Sequence, residues 1–539
     1  MTLILDRRHL ILSATLGVGA LALPRIAQAQ ASQLGFTHGV ASGEPGQTHM
    51  LFWARYVPSG GGAVKIRVEV SETPDFARIA GGAEVSTGPW RDHTVKAVVM
   101  GLTPGTRYHY RFIAPDGSIS MIGRTRTLPD GDVRDYGIGV FSCSNIGFGW
   151  FNAYAHAAAR DDIDLTVHLG DYYYEYQKGN YPADAQAIAS RVPQPLNEIL
   201  TLADYRLRIA SYRADPDLMA LHAAKPMILQ WDDHETANDS WEGGAQNHQG
   251  NEGDWAVRKA MAIQAYREWL PVSDAPWASY QIGSLATLFR TETRVLARTQ
   301  EKDIAPLFKA ADPARALAEF RDGAWMDPSA TMMGLPQEAW LADAMTASVR
   351  GGTRWQVVGF GTIMGQTRSP ASAIEWMAKD APDYVRQYVM AGIMASKAGL
   401  PLNFDAWGGY PAARARFLKS AQAMGANLVV IAGDSHNGWA YDLAQDGKPA
   451  GVEFAGHSVT SPGYEGALAA DPAVVARALV DTNPELKWCD TSRRGYMKLT
   501  LNSDSVRNDW VFMDTIRDRS PKGRVGHSAT VARGRNVMA

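Results

Sequence analysis

The sequence predicts an α/β fold with a layered sheet core, preceded by an all-β sandwich domain of the immunoglobulin or fibronectin type. Short apolar strands separated by Gly- and Pro-containing turns fill residues 36–128, and apolar runs alternate with helical segments from residue 136 onward. The first pattern is typical of a β-sandwich, and the second is typical of strands joined by helices. We therefore predict an N-terminal sandwich domain at residues 32–130 and a larger domain at residues 134–520.

The N-terminal domain is predicted from strand-like runs and one corner motif. The run at residues 64–70 alternates between apolar and polar side chains, as a half-buried strand does. Residues 102–110 fit the L-x-P-x-T-x-Y-x-Y corner of fibronectin type III modules. A linker follows at residues 128–132. The other predicted strands are residues 50–53, 96–100 and 108–112.

The larger domain is predicted from apolar runs that end abruptly at polar residues. The five predicted strands are residues 136–141, 163–169, 227–231, 355–358 and 427–431, and the predicted helices are residues 151–160, 202–212, 254–270, 337–345 and 410–418. We expect the strand exits to meet at one edge of one sheet. Residues 494–501 alternate as an edge strand would, residues 273–327 read as an insertion or extra layer, and residues 521–539 are expected to be disordered.

The bulk composition is that of an ordinary globular protein. The chain has 539 residues and a formal net charge of −3, with no basic block that suggests a stable nucleic-acid partner. After the N-terminus, no apolar run is long enough to span a membrane. We expect a monomer with ample length for a large core.

The N-terminus, residues 1–29, is predicted to be a signal peptide of the twin-arginine type. Arg7 and Arg8 precede an apolar stretch at residues 10–23, and residues 27–29 give an A-x-A cleavage site. A Sec signal or an uncleaved anchor is the alternative. The expected partner is the twin-arginine translocation machinery, and the expected location is the periplasm or the extracellular space.

The chain has only two cysteines, Cys143 and Cys489. In an exported protein two cysteines first suggest one disulfide. Cys143, however, follows a predicted strand, where other polar residues also gather. We therefore favour chemistry at Cys143 and a free, buried Cys489.

Asp171 and Tyr174 follow the strand at residues 163–169, and Gly170 precedes them. Ligands bind outside the carboxyl ends of strands in open α/β sheets, so both side chains can meet one ion there. The alternative is that Tyr174 packs and Asp171 caps a helix. A phenol has a pKa near 10 and ionises at neutral pH only beside a strong cation, which a trivalent iron supplies better than zinc or magnesium. The Cys143 thiolate also favours a transition metal.

Three carboxylates surround a histidine in the run Asp232, Asp233, His234 and Glu235, and Asn238 is a further oxygen donor. Such a density of acids is unfavourable unless cations neutralise it. A solvated loop is the alternative. Oxygen-rich ligands favour calcium, magnesium or manganese.

Asp434 and His436 form a D-x-H pair after the most apolar strand, which places both side chains on one side of an extended segment. The alternative is a turn carboxylate beside a surface histidine. The sequence has no G-x-S-x-G elbow and no phosphate-binding G-x-x-x-x-G-K-[ST] loop. The residues therefore indicate metal-assisted hydrolysis with two or more ions, a chemistry suited to displacement at phosphorus.

These motifs resemble those of the alkaline phosphatase D (PhoD-like) metallophosphatases over nearly the whole mature chain. The matching segments are residues 36–45, 141–143, 168–175, 231–235, 405–411, 433–436 and 458–462. The resemblance implies a metallophosphatase-like core and a secreted phosphomonoesterase or phosphodiesterase with one Fe³⁺ and two Ca²⁺. Its expected substrates are small phosphate esters, with phosphodiester polymers or lipids as further candidates.

The resemblance also implies roles for individual residues. Asp171 is the expected bridging ligand, and His234 matches the histidine that such enzymes place near the phosphate. We therefore predict His234 and Asp171 as catalytic residues. The predicted metal ligands are Cys143, Asp171, Tyr174, Asp233, Asn238, Asp434 and His436.

The sequence departs from the family pattern at three places near the expected pocket. Gly408 stands where an Asp is usual, Phe360 and Gly361 stand where a Gln is common, and Asp239 replaces a second Asn. These changes bear on substrate preference more than on metal chemistry. The sequence identifies no C-terminal lid. A non-catalytic exported binding protein with a degenerate phosphatase domain is the alternative function.

Overall fold

The computed structural model describes residues 33–379 and 383–539. The predicted signal peptide, residues 1–29, lies outside the described residues. None of the helices in the described ranges combines the length and apolar character needed to cross a membrane.

The described chain is rich in short strands. In chain order they are β1 Gly35–Gly43, β2 His49–Val57, β3 Val64–Ser71, β4 Ile79–Thr87, β5 Thr94–Met100, β6 Arg107–Ile113, β7 Gly123–Arg126, β8 Asp135–Phe141, β9 Leu165–His168, β10 Met227–Leu229, β11 Ser240–Trp241, β12 Gly244–Ala245, β13 Ala278–Ile282, β14 Ala286–Arg290, β15 Trp355–Phe360, β16 Leu428–Ala432, β17 Gly438–Gln445, β18 Lys448–Ala455, β19 Leu486–Asp490, β20 Gly495–Asn502, β21 Ser505–Met513 and β22 Gly523–Ala532.

The helices lie between strands of the larger domain. They are α1 Asn152–Ala158, α2 Leu202–Arg213, α3 Pro216–Ala224, α4 Trp255–Trp269, α5 Pro313–Asp322, α6 Leu335–Arg350, α7 Asp383–Lys397, α8 Pro411–Met424 and α9 Pro472–Thr482. The Thr201 hydroxyl and the Asp204 carboxylate form a capping box that starts α2. Gly425 ends α8 in the left-handed conformation, with φ of 69°.

Two large sheets form the core of the molecule. One has nine strands in the order β22-β21-β20-β8-β9-β10-β1-β2-β5, and the other has seven in the order β13-β14-β15-β16-β18-β17-β19. Strands β8, β9 and β10 are mutually parallel, as are β14, β15, β16 and β18. Apolar side chains of both sheets, among them Val140, Val167, Val357, Val429 and Ile431, pack in one buried cluster.

Helices cover the outer face of each sheet, which gives an α/β/β/α arrangement. Side chains of α1, α2, α3 and α4 pack with Phe141 and Leu229 of the nine-stranded sheet. Side chains of α6, α8 and α9 pack with Val358 and Val430 of the seven-stranded sheet. The parallel strands are apolar on both faces because both faces are buried.

The expectation that all strand exits share one sheet was wrong. Strands β8, β9 and β10 belong to the nine-stranded sheet, whereas β15 and β16 belong to the seven-stranded sheet. The exits still meet, because the two sheets pack face to face with these strand ends on the same side. Apolar runs alone do not reveal which of two stacked sheets a strand joins.

The N-terminal strands are divided between two sheets. Strands β4, β3, β6 and β7 form a four-stranded sheet, while β1, β2 and β5 extend the nine-stranded sheet through the pairing of Gly43 with Met227. Apolar side chains from both sets, including Phe52, Val68 and Tyr110, pack in one cluster. The N-terminal sheet is therefore continuous with the sheet of the larger domain. A Cβ at Gly43 would lie 2.1 Å from the Pro271 carbonyl oxygen, so this junction requires glycine.

Two expectations about the C-terminal region are corrected. Residues 521–539 are not disordered, because Gly523–Ala532 forms β22 and pairs along β21. Residues 494–501 form β20, which lies between β21 and β8 rather than at a sheet edge. The polar composition of β22 hid it, since an edge strand with one exposed face needs few apolar residues. The segment at residues 273–327 contributes β13, β14 and α5.

Candidate metal centre

The predicted site residues lie on tight turns where parallel strands end. Cys143 follows β8, Asp171 follows β9, and Asp434 and His436 follow β16. All four have left-handed backbones, with φ of 59°, 54°, 62° and 61°. Non-glycine residues adopt this conformation at an energetic cost of order 1–3 kcal/mol each, and such strain concentrates at functional sites. The turns thus hold these side chains in a shared direction at the expense of local stability.

Glu235 fixes the turn that carries Asp171. Its carboxylate accepts hydrogen bonds from the backbone N–H groups of Asp171 (3.2 Å), Tyr172 (2.6 Å) and Asp232 (2.8 Å). Gly170, with φ of 109°, lets the neighbouring turn approach, because a Cβ there would lie 2.4 Å from the Asp232 Cβ. Glu235 therefore supports the backbone of the site and is not available to face an ion.

The first cluster of potential ligands joins Cys143, Asp171 and His436, whose ligand atoms lie within 4.8 Å of one another. The Tyr174 hydroxyl donates to Asp171 Oδ2 at 3.1 Å and lies 3.3 Å from His436 Nε2. Ser461 Oγ lies 2.7 Å from the same hydroxyl. Asp171 Oδ1 is buried without a hydrogen-bond partner among the described residues. A thiol, a phenol, an imidazole and an orphaned carboxylate oxygen thus converge on one point.

The electrostatics of this cluster favour a bound cation. Burial, reinforced by the Asp171 carboxylate, raises the pKa values of Cys143 and Tyr174 well above their ordinary values. Burial also raises the pKa of Asp171, and the carboxylates of Asp233 and Asp232 add to that rise against the opposing effect of His234. A positive ion at this point would restore the anionic forms. Residues of these types are the ones that a transition metal prefers.

A second cluster shares Asp171 and adds Asp233 and His234. His234 Nδ1 lies 2.7 Å from Glu175 Oε2, which orients the ring. The other Glu175 oxygen accepts from the Asn238 backbone and from Asn247 Nδ2, both at 2.8 Å. Burial alone would lower the pKa of His234, but the carboxylates of Asp233, Glu175 and Asp171 raise it well above its ordinary value. The surrounding carboxylates therefore favour the protonated form of His234.

A third group, Asp232, Asp233 and Asp434, is already partly neutralised by the protein. Arg294 donates to both oxygens of Asp232, at 2.6 and 3.0 Å, and to both oxygens of Asp405, at 2.8 and 2.7 Å. Its guanidinium also lies 3.9 Å from Asp233 and from Asp434. The interpretation that ions neutralise all three carboxylates of the 232–235 run is thus corrected. Arg294 neutralises Asp232, and Glu235 holds the backbone. The oxygens of Asp233 accept from the backbone N–H groups of His234 (2.9 Å) and Asp239 (2.7 Å), and of these three carboxylates Asp233 is the one that shares a cluster with Asp171.

Asn238 is hydrogen-bonded within the protein. Its side-chain amide donates to Gln246 Oε1 at 3.1 Å. Asn238 lines an open groove of about 420 Å³ together with Asp239, Glu301, Asp405 and Asp434. The same groove has an apolar and aromatic wall that includes Tyr388 and Phe404. The groove leads from Asp434 to the surface, so it is a route by which a substrate can reach the clusters.

Several residues of the site were missed by sequence reasoning. Glu175 stands inside the predicted motif but received no role, and Ser461 stands inside another. Arg294 gave no signal at all, because it lies 62 positions from Asp232 and follows an unremarkable strand. Both cysteines are free in the structure, as predicted, with Cys489 buried on β19.

Comparisons with known proteins identify relatives of this fold. The fold is shared with a purple acid phosphatase, PPD1 from yellow lupin (Lupinus luteus) seeds, at a TM-score of 0.55 and 13% identity, over 93% of this chain and 75% of that one. A solved structure of PhoD matches with a TM-score of 0.76 and 26% identity, over 94% of this chain and 92% of that one. The two-sheet fold is therefore one that phosphatases use.

The chain belongs to the PhoD-like phosphatase family. The family profile matches residues 138–510, and the profile of the PhoD-like phosphatase N-terminal domain matches residues 21–129. Alkaline phosphatase D of Bacillus subtilis (strain 168) is 30% identical over 509 residues, which cover 90% of this chain and 78% of that protein. The protein is accordingly a hydrolase that acts on phosphoric ester bonds.

Proposed function

We propose that this protein is an exported, metal-dependent phosphoesterase that hydrolyses phosphate monoesters or diesters by attack of a hydroxide on phosphorus. The observation that carries the proposal is Asp171, which belongs to two ligand clusters at once and has a buried oxygen without a partner. A carboxylate in that position is suited to bridge two cations. In the proposed enzyme Asp171 would contribute a ligand to the cation of each cluster.

The residues present fit the metals that the family resemblance implies, one Fe³⁺ and two Ca²⁺. Cys143, Asp171, Tyr174 and His436 would hold the iron, because thiolate, phenolate and imidazole suit a transition metal. The remaining predicted ligands, Asp233, Asn238 and Asp434, would serve calcium with Asp171, because they supply oxygen atoms. When bound, such ions lower the pKa of coordinated water and offset the charge of the phosphate.

The protein residues around the clusters perform the remaining steps. Glu175 holds the His234 ring through Nδ1, so the other ring nitrogen is free to donate a proton to the leaving-group oxygen. The side chains of Tyr174 and Tyr176 flank this ring, with centroids 4.2 and 5.4 Å away, and restrict water around it. No side-chain nucleophile is required in this scheme. A single inversion at phosphorus is therefore expected.

The open groove supports substrates larger than a phosphate group, such as small phosphate esters and, beyond them, phosphodiester polymers or lipids. The N-terminal module, proposed at residues 32–130, is of the immunoglobulin or fibronectin type. The order β1-β2-β5 facing β4-β3-β6-β7 supports this assignment, since consecutive strands are divided between two packed layers as in such sandwiches. Residues 134–520, together with β22 of the same sheet, then form the catalytic domain of a monomer.

Export by the twin-arginine machinery to the periplasm or extracellular space is proposed from the sequence of residues 1–29 alone. A route that carries folded proteins allows metals to be loaded before export. The alternative of a non-catalytic binding protein is not favoured, because Cys143, Asp171, Asp233 and His436 are intact and converge.

The test combines elemental analysis with turnover. Protein purified without chelator is expected to contain iron and calcium, to show a visible tyrosinate charge-transfer band, and to hydrolyse p-nitrophenyl phosphate or its bis-ester at alkaline pH. Calcium chelation should abolish activity and added calcium should restore it. A colourless, fully active enzyme that contains only zinc or magnesium would refute the iron assignment, and absence of turnover in metal-loaded protein would refute the phosphoesterase.

A further inference from the structure

A second polar cavity lies far from the metal centre. It has a volume of about 220 Å³ and lies between the four-stranded N-terminal sheet and the loops that precede β9 and β10. Its lining includes Lys225 and Pro226 before β10 and Asp164 before β9. The metal clusters follow the carboxyl ends of the same strands. The cavity is therefore at the opposite end of the sheet from the proposed chemistry.

Basic side chains from β6 and β7 form one wall of this cavity. The strand register places Arg107 opposite Arg126 and His109 opposite Arg124 on the outer face of the sheet. Burial and the charge of Arg124 lower the pKa of His109, so the like-charge pair is Arg107 with Arg126. Like charges directly opposite each other on neighbouring strands are destabilising. Arg126 is relieved by an ion pair with Asp164, but that carboxylate also accepts from the backbone of Gly137. The repulsion at this wall thus has only partial compensation.

Arg107 and Arg124 remain without an ion pair in the described ranges, and both side chains are exposed. Both arginines line the cavity. Asp161 also lines it, but its carboxylate pairs with neither arginine. Each guanidinium presents a planar set of donors that matches an oxyanion. The two arginines are therefore available to a ligand.

Lys225 forms the floor of the cavity and is fixed in place. The residue is only 8% exposed, and its Nζ donates to the carbonyl oxygens of Arg160 (2.7 Å) and Ile163 (2.8 Å). Burial lowers the pKa of Lys225, and the nearby charges of Arg107 and Arg124 lower it further. Two carbonyls leave one ammonium hydrogen for another acceptor. His109 Nδ1 is likewise buried without a partner among the described residues.

We propose that this cavity is a binding site for a phosphate oxyanion, held by Arg107, Arg124 and Lys225 and separate from the catalytic centre. A negatively charged phosphate group offsets the repulsion between the facing basic side chains and supplies acceptors for the free guanidinium donors. The ligand is either free inorganic phosphate or a phosphoryl group along a polymeric phosphodiester. In the first case the site binds the product of hydrolysis outside the catalytic centre, and in the second it holds a long substrate away from the chemistry.

The test measures binding to the metal-loaded enzyme by isothermal titration calorimetry, with inorganic phosphate and with a short single-stranded oligonucleotide as a polymeric phosphodiester. The variant is the double substitution Arg107→Gln and Arg124→Gln. The control is Lys65→Gln with Arg78→Gln, two exposed cations of the same N-terminal region that pair with Glu84 and Glu72. The control removes the same charge from the same region but leaves the cavity intact.

The wild-type protein and the control are expected to bind a ligand at a second site that the double variant loses, with a dissociation constant raised at least about tenfold. Loss for phosphate identifies the free anion as ligand, and loss for the oligonucleotide alone identifies the polymer. Phosphate inhibition of p-nitrophenyl phosphate hydrolysis, which reports the catalytic site, should be equal in all three proteins. Equal binding of both probes by the double variant and the wild type would overturn the proposal.

A thermal melt without added anion separates a ligand site from a structural role. Because the double substitution removes like-charge repulsion, the melting temperature should stay constant or rise. A fall in melting temperature larger than that of the control would show that the arginines stabilise the fold, which contradicts the proposal. Calorimetric binding and the thermal melt do not depend on turnover. They therefore test the anion site even if the proposed metal chemistry is wrong.

Discussion

Asp171 combines several features that rarely occur together in one residue. It has a left-handed backbone, a buried carboxylate, an oxygen without a partner among the described residues, and a place in two ligand clusters. Asp171→Asn keeps the size of the side chain but removes its charge. We expect loss of most of kcat and of at least one metal, measured by elemental analysis, with unchanged circular dichroism. Asp446→Asn, an exposed carboxylate paired with Lys419, is the control and should retain metal and activity.

His234 is expected to act on a proton rather than on a metal. The Glu175 carboxylate holds one ring nitrogen, and the carboxylates of Asp233, Glu175 and Asp171 raise the pKa of the ring. His234→Ala should retain the metals and reduce kcat by roughly 10²–10⁴, as for a lost proton-transfer group. Steady-state kinetics and elemental analysis on the same preparation check this. Metal loss as large as in Asp171→Asn would instead show that His234 is a ligand.

Arg294 provides the positive charge that offsets the buried carboxylates beside the site. Its fully buried guanidinium pairs with Asp232 and Asp405. Arg294→Met leaves the buried Asp232 carboxylate without a cation, whereas Asp405 keeps its pair with Arg298, and the loss should reduce the free energy of unfolding by about 3–5 kcal/mol. Urea unfolding of the metal-loaded protein measures this. Arg315→Gln, which breaks an exposed pair with Glu319, should change the free energy by less than about 0.5 kcal/mol. Equal effects of the two substitutions would contradict the assignment.

At the scale of elements, β22 closes one edge of the nine-stranded sheet. It pairs along β21, and His527 stacks on Trp488 with ring centroids 4.1 Å apart and lies beside Trp510. Removing β22 leaves the backbone donors and acceptors of β21 unpaired, and an open edge promotes association between chains.

Truncation after residue 520 should therefore lower the melting temperature and produce aggregates that light scattering detects. A shorter truncation after residue 533 keeps β22 and should remain monodisperse. If the two truncated proteins behave alike, the strand contributes nothing and the effect belongs to the last six residues.

At the scale of the whole molecule, buried neutral histidines make the fold sensitive to acid. Burial lowers the pKa of His38 to about 3, and the charges of Arg55 and Arg213 contribute to the change. Burial likewise lowers the pKa values of His168 to about 3 and His457 to about 4. Between pH 6.5 and these values the unfolded chain binds protons that the folded chain does not. The contribution of these neutral histidines to the free energy of unfolding is therefore fully present above about pH 6.5. It is lost progressively as the pH is lowered.

His38→Asn tests this effect away from the metal centre, since asparagine tolerates the left-handed backbone at this position, where φ is 62°. Urea unfolding at pH 7.5 and pH 5.0 should show that the variant loses about 2 kcal/mol less than the wild type on acidification, one proton's share of the linkage. An identical pH dependence in both proteins would show that His38 does not contribute.

The sequence alone determined the class of fold, the strands that lead to the site and most of its chemical groups. Runs such as residues 136–141 and 427–431 are apolar because both faces of a parallel strand are buried, so period and composition reveal them locally. Cys143, Asp171, Tyr174 and Asp434 could be recognised because each follows such a run directly.

Tertiary structure decided what depends on contacts between distant segments. Which sheet each strand joins, the neutralisation of Asp232 by Arg294, and the pairing of the polar strand β22 leave no periodic trace in the sequence. The same holds for the basic cavity, because Arg107, Arg124 and Lys225 come together only when β6, β7 and the loop before β10 meet. The local pattern of apolar and polar residues predicts whether a side chain is buried. The residue that the side chain contacts is decided only when distant segments of the chain pack together.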